Sequence, residues 1–357
     1  MKIRLIGPRN TLGVGVHFSN FVDTLKRVNG MSSLVEEVNS TRYDDMVAAA
    51  GRSQPDDVNI CFTSINLQPY FKGTNIQWIV FESTRVPEIV METMLVSDLV
   101  WVPSTWGKNT LISNGLDPAR CDIVPEGVDT DQYHPYLNIS HNDVLRFLSV
   151  GKFEERKSYR ELLIAWADAF AKDPGVELVI KTDHFVNVKE KQQNLDVFLG
   201  MLGVTNVRPM WNKVGTNDIA QLYRTSDVFL LPSKGEGWGL PIIEAAAQGL
   251  PIITTMHSGH VEYLQHIKSS VIPVEFDLGD ITCHEFRHFY PSKDNNWGTW
   301  AMPRVESIAK ALVSAKNNIT QLKQQAKDNA NIIRQRYSWS ACVDSALKTL
   351  QQRGLLL

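Results

Sequence analysis

The feature that most restricts the fold of this chain is an alternation of short apolar runs with helix-length amphipathic segments, present in both halves of the sequence. Apolar runs bounded by turn residues are typical of buried parallel strands, and the segments between them of the helices that connect such strands. The predicted strands are 3–6, 58–62, 76–81, 99–102 and 122–124, then 145–150, 178–181, 228–231, 252–254 and 271–273. The pattern therefore predicts an α/β fold with two doubly wound domains.

Helices are predicted between these strands and after the last one. The first is expected at 18–28, where Asn29 and Gly30 provide a left-handed stop. In the second half, the expected helices are 160–171, 219–224 and 240–248. Residues 305–350 predict two or three amphipathic helices without strands.

The length of 357 residues agrees with two domains, at about 150 residues per domain. A polar stretch at 133–143, with one proline and no clear periodicity, is the best linker candidate. We expect domains at 1–138 and 139–335, followed by a helix at 336–357 that packs back toward the first domain. Ligands of such folds bind at the carboxyl ends of the strands, so functional motifs should closely follow strands.

The composition is that of an ordinary soluble globular protein, with 43% hydrophobic and 21% charged residues. The net charge of −3 gives no bulk attraction to nucleic acid, which is therefore not a favoured partner. The amino terminus lacks the apolar core of a signal peptide, and no apolar run approaches the ~18 residues of a membrane span. These features predict a cytoplasmic protein, with peripheral membrane contact left open. The widely spaced cysteines predict reduced, packed thiols; they are Cys61, Cys121, Cys283 and Cys342.

The most informative stretch is KGEGWGLPIIEAAAQGLP, which follows the predicted strand at 228–231. It predicts a glycine turn that leads into a helix, with Pro241 in the first helical turn, where a missing amide hydrogen is harmless. The turn amides and the helix dipole form a site for an anion such as phosphate. Glycines allow close approach of the backbone to that ligand; they are Gly235, Gly237 and Gly239.

Two glutamates lie eight residues apart in this stretch, Glu236 in the turn and Glu244 in the second turn of the helix. If a phosphate binds at the turn, both carboxylates can accept hydrogen bonds from sugar hydroxyls, at roughly 1.5–3 kcal/mol each. A nucleotide sugar has two sugars with phosphates between them, which places Glu244 on the ribose and Glu236 on the transferred sugar. For the spacing alone, a chance match or glutamates that offset a helix dipole are the favoured interpretation.

The whole string EGWGLPIIEAAAQGLPIITT closely resembles the signature of retaining glycosyltransferases of family 4, which have the GT-B fold of two facing Rossmann-like domains. The resemblance covers nearly the whole chain. It implies that Lys152 and Lys157, in VGKFEERKSYRELLIAW, bind the donor diphosphate. Lys152 replaces the usual arginine, which keeps the charge but loses the bidentate fork. A solvated surface residue is the alternative for each of these basic residues, and it suits the adjacent Arg156 better than Lys157. The implied donor-binding residues are Gly13, Gly15, Lys152, Lys157, Glu236, Gly237, Trp238, Gly239, Leu240 and Glu244.

Other segments match the family in the same order along the chain. They are WVPSTWGKNTLISNG, VPEGVDTDQYHP and TSDVFLLPS. GPRNTLGVGVHF resembles the glycine-bearing loop after the first strand, in which Gly13 and Gly15 would approach the donor phosphates or the acceptor. An ordinary tight turn is the alternative. SGHVEYL resembles the loop near the donor sugar, with Gly259, His260 and Glu262 as candidate contacts.

One segment departs from the family. FESTRVP places Glu82 and Arg85 where many relatives carry a catalytically placed histidine, and it resembles a subset with an E-[ST]-[ST]-R motif. The resemblance implies an active-site or acceptor-side role for Glu82, with Arg85 beside it, whereas a buried ion pair between the two is the alternative. His17 is a further acceptor-side candidate, for which a helix-capping or packed histidine is the alternative.

Two short motifs point to other chemistry. Residues 284–288 read HEFRH, the HExxH pattern of zinc proteases, which needs a continuous helix and a third ligand. Pro291 follows at once and Glu306 is only a speculative third ligand, so we interpret the match as chance. Asp129 and Asp131 form the DxD pattern with which glycosyltransferases of the other main fold hold a cation. We interpret it as a turn and predict that no metal is required.

The resemblance implies transfer of a hexose or pentose from a nucleoside diphosphate to an acceptor hydroxyl, with retention of configuration. In this same-face displacement the departing diphosphate accepts the acceptor's proton. The implied catalytic residues are Glu236, Lys157, Lys152 and Glu82. We favour a glycan or lipid-linked saccharide as the acceptor. Two alternatives stay open: the same chemistry on a protein or a hydroxymethylated DNA base, and a non-catalytic nucleotide-sugar-binding scaffold.

Overall fold

The computed structural model describes residues 1–63, 70–137, 144–183, 187–211, 215–290 and 292–356. They form two compact units, each built around a parallel sheet of six strands. The first unit comprises Met1–Gly127, Ile281–Gly298 and Arg336–Leu357, and the second comprises Val128–Asp280 and Thr299–Gln335. The predicted α/β class with two doubly wound sheets is confirmed. Residues 138–143 of the predicted linker lie outside the described residues.

The first unit begins with a strand that pairs with two later ones. Its strands are Ile3–Gly7 (β1), Val35–Asn39 (β2), Val58–Cys61 (β3), Thr74–Trp78 (β4), Leu99–Val102 (β5) and Cys121–Ile123 (β6). Its first helices are Gly13–Arg27 (α1), Tyr43–Arg52 (α2), Glu88–Val96 (α3) and Thr105–Ser113 (α4). The strand order is β2-β1-β3-β4-β5-β6. All neighbouring strands are parallel.

The second unit repeats the alternation of strands and helices. Its sheet strands are Leu145–Val150 (β7), Val176–Lys181 (β8), Val207–Met210 (β9), Val228–Leu231 (β10), Ile252–Thr255 (β11) and Val271–Val274 (β12). Between them lie Tyr159–Phe170 (α5), Val188–Leu202 (α6), Thr216–Arg224 (α7), Leu240–Gln248 (α8) and Val261–Leu264 (α9). The order is β12-β11-β10-β7-β8-β9.

An antiparallel hairpin and four helices complete the chain. The hairpin pairs Phe276–Asp280 (β13) with Thr299–Pro303 (β14). The residues between these strands, Ile281–Gly298, belong to the first unit. The remaining helices are His284–Phe289 (α10), Val305–Asn317 (α11), Ile319–Arg336 (α12) and Trp339–Gln352 (α13). The three helices after residue 305 confirm the helical end predicted from the sequence.

Each unit has its own apolar core. In the first, α1 and α13 share one buried cluster with the sheet, to which Phe18, Trp101 and Val343 contribute. In the second, α5 and α11 pack together around Phe147 and Trp166. All four cysteines are buried, which confirms the prediction of packed thiols. Among the described residues, no helix combines the length and the apolar character that crossing a membrane requires.

Four strands were not predicted. Strands β2 and β9 lie at sheet edges and carry polar residues, VEEVN and VRPM, so they lack the continuous apolar run of a central strand. Strands β13 and β14 form a separate two-stranded sheet. They are separated in the chain by 18 residues, Ile281–Gly298, which we call the excursion, so local sequence does not indicate their pairing. Helix α1 begins at Gly13, five residues before the predicted start.

Candidate functional site

The sheet of the second unit changes its direction of winding between β7 and β10. The chain starts at β7, continues outward through β8 and β9, and then returns to form β10, β11 and β12 on the other side. Ligands of such sheets bind at this switch point, outside the carboxyl ends of the strands. Strand β7 is followed by Lys152 and Lys157, and β10 by the glycine turn at 235–239. The fold therefore places the two predicted donor-binding segments side by side.

Glu236 is the centre of a buried cluster of charges. The Nζ of Lys157 lies 2.6 Å from its Oε1, and a guanidinium nitrogen of Arg156 lies 3.2 Å from its Oε2. Glu236 is 4% exposed and Lys157 is 5% exposed. Burial alone would raise the pKa of Glu236, but the neighbouring charges of Lys157 and Arg156 lower that pKa to about 2. Burial lowers the pKa of Lys157, and Glu236 opposes this shift. The carboxylate of Glu236 is therefore ionised at neutral pH.

Backbone hydrogen bonds hold the two segments against each other. The amide of Lys234 donates to the carbonyl of Arg156 at 2.7 Å, and the Arg156 guanidinium donates to the carbonyl of Gly235 at 2.6 Å. The amide of Glu236 donates to the Oγ of Ser258 at 2.8 Å. The position of the Glu236 carboxylate is thus set by three separate loops of the chain.

The alternative of a solvated surface residue does not hold for Arg156. Its side chain is only 13% exposed and contacts Glu154, Gly235 and Glu236. Sequence reasoning missed it because an arginine before a helix looks the same whether it faces solvent or a loop from a distant part of the chain. Lys152 is the more accessible cation, with a side chain 39% exposed and its Nζ 3.9 Å from Glu154.

The glycine turn leads into α8 as the sequence predicts. Gly239 has a φ of +85°, in the left-handed region that favours glycine, and Leu240 is the first residue of the helix. The hydroxyl of Tyr263 donates to the carbonyls of Trp238 and Gly239, at 3.1 Å and 3.0 Å. These bonds fix the carbonyls that precede the helix start.

Glu244 lies five residues into α8, in an environment unlike that of Glu236. The hydroxyl of Tyr223 donates to its Oε2 at 2.8 Å, and Tyr133 also hydrogen-bonds to this carboxylate. Burial raises the pKa of Glu244 to about 7, although the two tyrosine hydrogen bonds act in the opposite direction. The two glutamates of the motif therefore titrate in different pH ranges. The sequence gives no signal for either tyrosine, because both contacts arise from distant segments.

The SGHVEYL loop lies against the glycine turn. A Cβ atom at Gly259 would be 1.9 Å from the carbonyl oxygen of Gly237, so this close approach requires glycine. The Nε2 of His260 lies 2.6 Å from the carbonyl oxygen of Thr255, and since that oxygen only accepts, Nε2 carries the hydrogen. Burial lowers the pKa of His260 to about 4. Glu262 lies in the first turn of α9. Of the three candidate contacts, Gly259 adjoins the turn directly.

Gly13 and Gly15 lie in the first turn of α1, so the expectation that they belong to a loop is wrong. A Cβ atom at Gly15 would be 2.1 Å from the Oδ1 of Asn10, which accepts the amide hydrogen of Leu12 at 2.9 Å. The space around Gly13 is open. The requirement for glycine at position 15 is thus explained by local packing against Asn10.

His17 is packed inside the first unit. It is 4% exposed, and its ring meets Trp78 edge-on with the ring centroids 4.3 Å apart. It also stacks on Trp339, at 5.7 Å. Its Nδ1 lies 3.8 Å from Glu126, and burial lowers the pKa of His17 to about 3. The alternative of a packed, neutral histidine agrees with this environment.

Glu82 and Arg85 lie on the loop after β4. Glu82 lines a small cavity of about 40 Å³, together with Phe286 and Tyr290 from the Ile281–Gly298 excursion. Arg85 pairs with Asp294 at 2.7 Å, in a half-exposed ion pair, instead of the buried pair with Glu82 that was the alternative from sequence. The excursion therefore packs directly on the loop that departs from the family pattern.

The HExxH and DxD patterns lie in a short helix and in a turn, respectively. Helix α10, which carries HEFRH, has only six residues, and the rings of His284 and His288 are parallel with centroids 6.5 Å apart. Pro291 lies outside the described residues. Within the described residues, no group of three or more histidine, cysteine, aspartate or glutamate side chains could hold a metal ion. The Oδ1 of Asp129 accepts hydrogens from the amides of Asp131 and Gln132, at 3.0 Å and 2.9 Å, so the DxD pattern is a turn.

Two doubly wound units, each with a six-stranded parallel sheet, are the architecture found in the GT-B class of proteins. Residues 137–276 match the family described as glycosyl transferases group 1, which confirms the resemblance noted from the sequence. This range contains the segments after both β7 and β10, and therefore Lys152, Lys157, Glu236 and Glu244.

Curated relatives match the same part of the chain. A D-inositol 3-phosphate glycosyltransferase of Geodermatophilus obscurus is 30% identical over 158 residues, which are 41% of this chain and 35% of that protein. A mannosylfructose-phosphate synthase of Agrobacterium fabrum is 24% identical over 179 residues, 47% of this chain and 39% of that protein. The matches thus span well under half the length of these relatives.

Solved structures share the whole fold. The Anabaena protein HepE in complex with UDP-glucose has a TM-score of 0.71 and 15% identity, with 99% of this chain and 100% of that chain covered. The sucrose-phosphate synthase of Thermosynechococcus elongatus has a TM-score of 0.69 and 13% identity, with 99% of each chain covered. At these identities the likeness shows the fold, which is GT-B.

Proposed function

We propose that this protein is a retaining glycosyltransferase that transfers a hexose or pentose from a nucleoside diphosphate sugar to an acceptor hydroxyl. The observation that carries the proposal is the buried cluster of Glu236 with Lys157 and Arg156, which lies at the switch point of the second sheet. Burying charges has a desolvation cost that close ion pairs offset, and titratable groups perturbed in this way cluster at functional sites. The match to glycosyl transferases group 1 and the names of the relatives support the same reaction.

In this proposal the donor lies across the ends of β7 and β10. Lys152 and Lys157 neutralise the diphosphate, together with the backbone of Gly237, Trp238, Gly239 and Leu240. Glu236 accepts a hydrogen bond from the transferred sugar, and Glu244 accepts one from the ribose. Since Glu236 is held by two cations, its carboxylate is ionised and fixed before the donor arrives. Such preorganisation avoids reorganisation of the site during the reaction.

The reaction forms a bond between the acceptor oxygen and the anomeric carbon and breaks the bond from that carbon to the β-phosphate oxygen. The departing diphosphate takes the acceptor's proton on the same face of the sugar, so configuration is retained. Lys152, Lys157 and Arg156 supply positive charge where negative charge grows on the leaving group. We therefore propose that the reaction needs no metal ion. Glu82, beside the small cavity of the first unit, is proposed to act on the acceptor side with Arg85.

The acceptor is proposed to be a hydroxyl of a glycan or a lipid-linked saccharide. Two relatives bear the names of enzymes for inositol phosphate and for a mannosylfructose phosphate. These names make phosphorylated polyols and sugars the first acceptors to test. The net charge of −3 gives no support to a nucleic-acid acceptor.

The test is a thermal-shift and turnover screen of the purified protein with UDP-, GDP-, ADP- and TDP-sugars. A ligand that binds only the folded state raises the melting temperature by mass action. We expect one nucleotide sugar to raise it, and Lys157→Ala to abolish the shift. Lys316→Ala is the matched control, because Lys316 forms a surface ion pair with Asp173 in the same unit.

Each outcome has a distinct meaning. Binding with slow release of free sugar, accelerated by an acceptor, supports a transferase. Binding without turnover on any sugar or polyol acceptor favours the non-catalytic scaffold. The absence of a shift with every nucleotide, in a protein that is folded by circular dichroism, would overturn the donor site.

A further inference from the structure

The second glutamate of the motif is held by two tyrosines from different segments. Tyr223 belongs to α7, and its hydroxyl lies 2.8 Å from the Oε2 of Glu244. Tyr133 belongs to the segment that follows Val128, and its hydroxyl bonds to the same carboxylate. The two rings meet edge-on with centroids 5.3 Å apart, and both residues are buried. The carboxylate thus receives two phenolic hydrogens within one buried cluster.

Both tyrosines are fixed independently of Glu244. The ring of Tyr223 stacks on Phe229 of β10, with centroids 5.8 Å apart and planes 18° from parallel. The carbonyl of Tyr133 accepts from the guanidinium of Arg334 at 2.7 Å, and its amide donates to the carbonyl of Asp129 at 3.0 Å. The phenolic groups therefore have little freedom, and they define where the Glu244 carboxylate can lie.

We propose that Tyr133 and Tyr223 are positioning residues that favour the ionised form of Glu244 and orient its carboxylate to accept a hydrogen bond from the ribose of the donor. This inference rests on the proposed function, because it assigns a ligand to Glu244. A glutamate that only capped or packed the helix would need no such pair of donors. An ionised carboxylate has about four acceptor sites, so two phenolic hydrogen bonds leave others for the ligand.

Several charged and titratable groups act on this cluster. Burial raises the pKa of Glu244 to about 7, the two tyrosines lower it, and the negative charge of Asp129 adds to the rise. The positive charge of Arg224 acts to lower the pKa of Tyr133, and Tyr263 acts to raise the pKa of Tyr223. Because the tyrosines favour the ionised form, loss of either hydroxyl raises the pKa of Glu244 further.

This arrangement predicts a particular pH dependence of nucleotide binding. Below the pKa of Glu244 the group is a neutral acid and accepts a weaker hydrogen bond, so affinity falls as the pH drops through about 7. Replacing one tyrosine by phenylalanine moves this fall to higher pH. One lost hydrogen bond to a charged group corresponds to a shift of about one pH unit, and near neutral pH to affinity about tenfold weaker.

The experiment is calorimetric titration with UDP, and with GDP and ADP in parallel, over a pH range that brackets the pKa of about 7. The variants are Tyr133→Phe, Tyr223→Phe and Glu244→Gln. Tyr136→Phe is the matched control, since Tyr136 lies in the same segment but is 77% exposed. Glu244→Gln cannot titrate at this position, so its profile contains only the ionisation of the nucleotide and of other groups.

We expect the profiles of both phenylalanine variants to move to higher pH, that of Tyr136→Phe to stay unchanged, and that of Glu244→Gln to lose the step near pH 7. A nucleotide that binds with coincident profiles in wild type and both phenylalanine variants would overturn the positioning role while leaving the proposed function intact. Failure of every nucleotide to bind any folded variant or the wild type would overturn both. Melting curves identify a variant that has lost its fold, and Glu244→Gln then decides the outcome.

Discussion

The Nζ of Lys157 lies 2.6 Å from the Oε1 of Glu236, although the two residues are 79 positions apart in the sequence. The pair joins the segment after β7 to the segment after β10. Strands β7 and β10 are neighbours in the sheet and run parallel. Arg156 adds a second cation on the other carboxylate oxygen. Lys157 and Arg156, which belong to the segment after β7, therefore keep the carboxylate of Glu236 ionised.

The stability of the folded protein in acid should depend on the ion pair between Glu236 and Lys157. The pKa of Glu236 lies at about 2 in the folded state and near 4.5 when unfolded, so its contribution is present above about 4.5 and is lost as the pH falls toward 2. Relative to Glu236→Gln, the wild type should lose about 3 kcal/mol of unfolding free energy over this range. Urea unfolding at a series of acidic pH values measures the difference. Parallel curves for the two proteins would contradict the buried pair.

Glu126 should make the folded protein less stable as the pH rises, whereas Glu236 makes it less stable as the pH falls. Burial and the nearby charge of Glu82 raise the pKa of Glu126 to about 8, so its stabilising contribution is complete below about 4.5 and is lost as the pH rises through 8. Glu126→Gln should gain stability relative to wild type by about 1.4 kcal/mol per pH unit within this window. Guanidinium unfolding at a series of mildly acidic to neutral pH values measures the gain. A constant difference at all pH values would show that Glu126 does not titrate there.

Gly259→Ala should destabilise the protein and weaken donor binding. The new Cβ would lie 1.9 Å from the carbonyl oxygen of Gly237, so the glycine turn must move. Overpacking of this kind costs about 1–3 kcal/mol. Gly200→Ala is the matched control, because Gly200 lies in α6 with open space around it and should stabilise the helix by about 0.5–1 kcal/mol. Equal melting temperatures for the two variants would argue against the close approach at Gly259.

Lys152 should affect ligand binding much more than stability. Its side chain is 39% exposed and its ion pair with Glu154 is long, at 3.9 Å. Lys152→Ala should leave the unfolding free energy within about 0.5 kcal/mol and weaken nucleotide affinity about tenfold, the value of one charge-assisted hydrogen bond. Lys152→Arg should retain or improve affinity through its bidentate fork. Calorimetry with the nucleotide found in the screen tests both, and unchanged affinity in Lys152→Ala would remove Lys152 from the donor site.

The local sequence pattern was sufficient to predict the strands and the helix that carry the motifs. The strands at 145–150 and 228–231 and the helix at 240–248 have the predicted bounds, because each is a continuous apolar run or an amphipathic segment with a glycine or proline at its ends. The edge strands β2 and β9 were missed, because an edge strand is stabilised by its neighbour more than by its own composition.

The sequence by itself determined the α/β class and the position of the glycine turn, because these depend on residues within a few positions of one another. Only the tertiary structure decided how Arg156, Tyr133 and Tyr223 act on the two glutamates. Their contacts span dozens of residues and depend on the order of strands in the sheet, which places distant loops together. The pKa values of Glu236 and Glu244 are about 2 and about 7, because two cations outweigh the effect of burial on the first, whereas two phenolic hydrogen bonds only partly oppose it on the second.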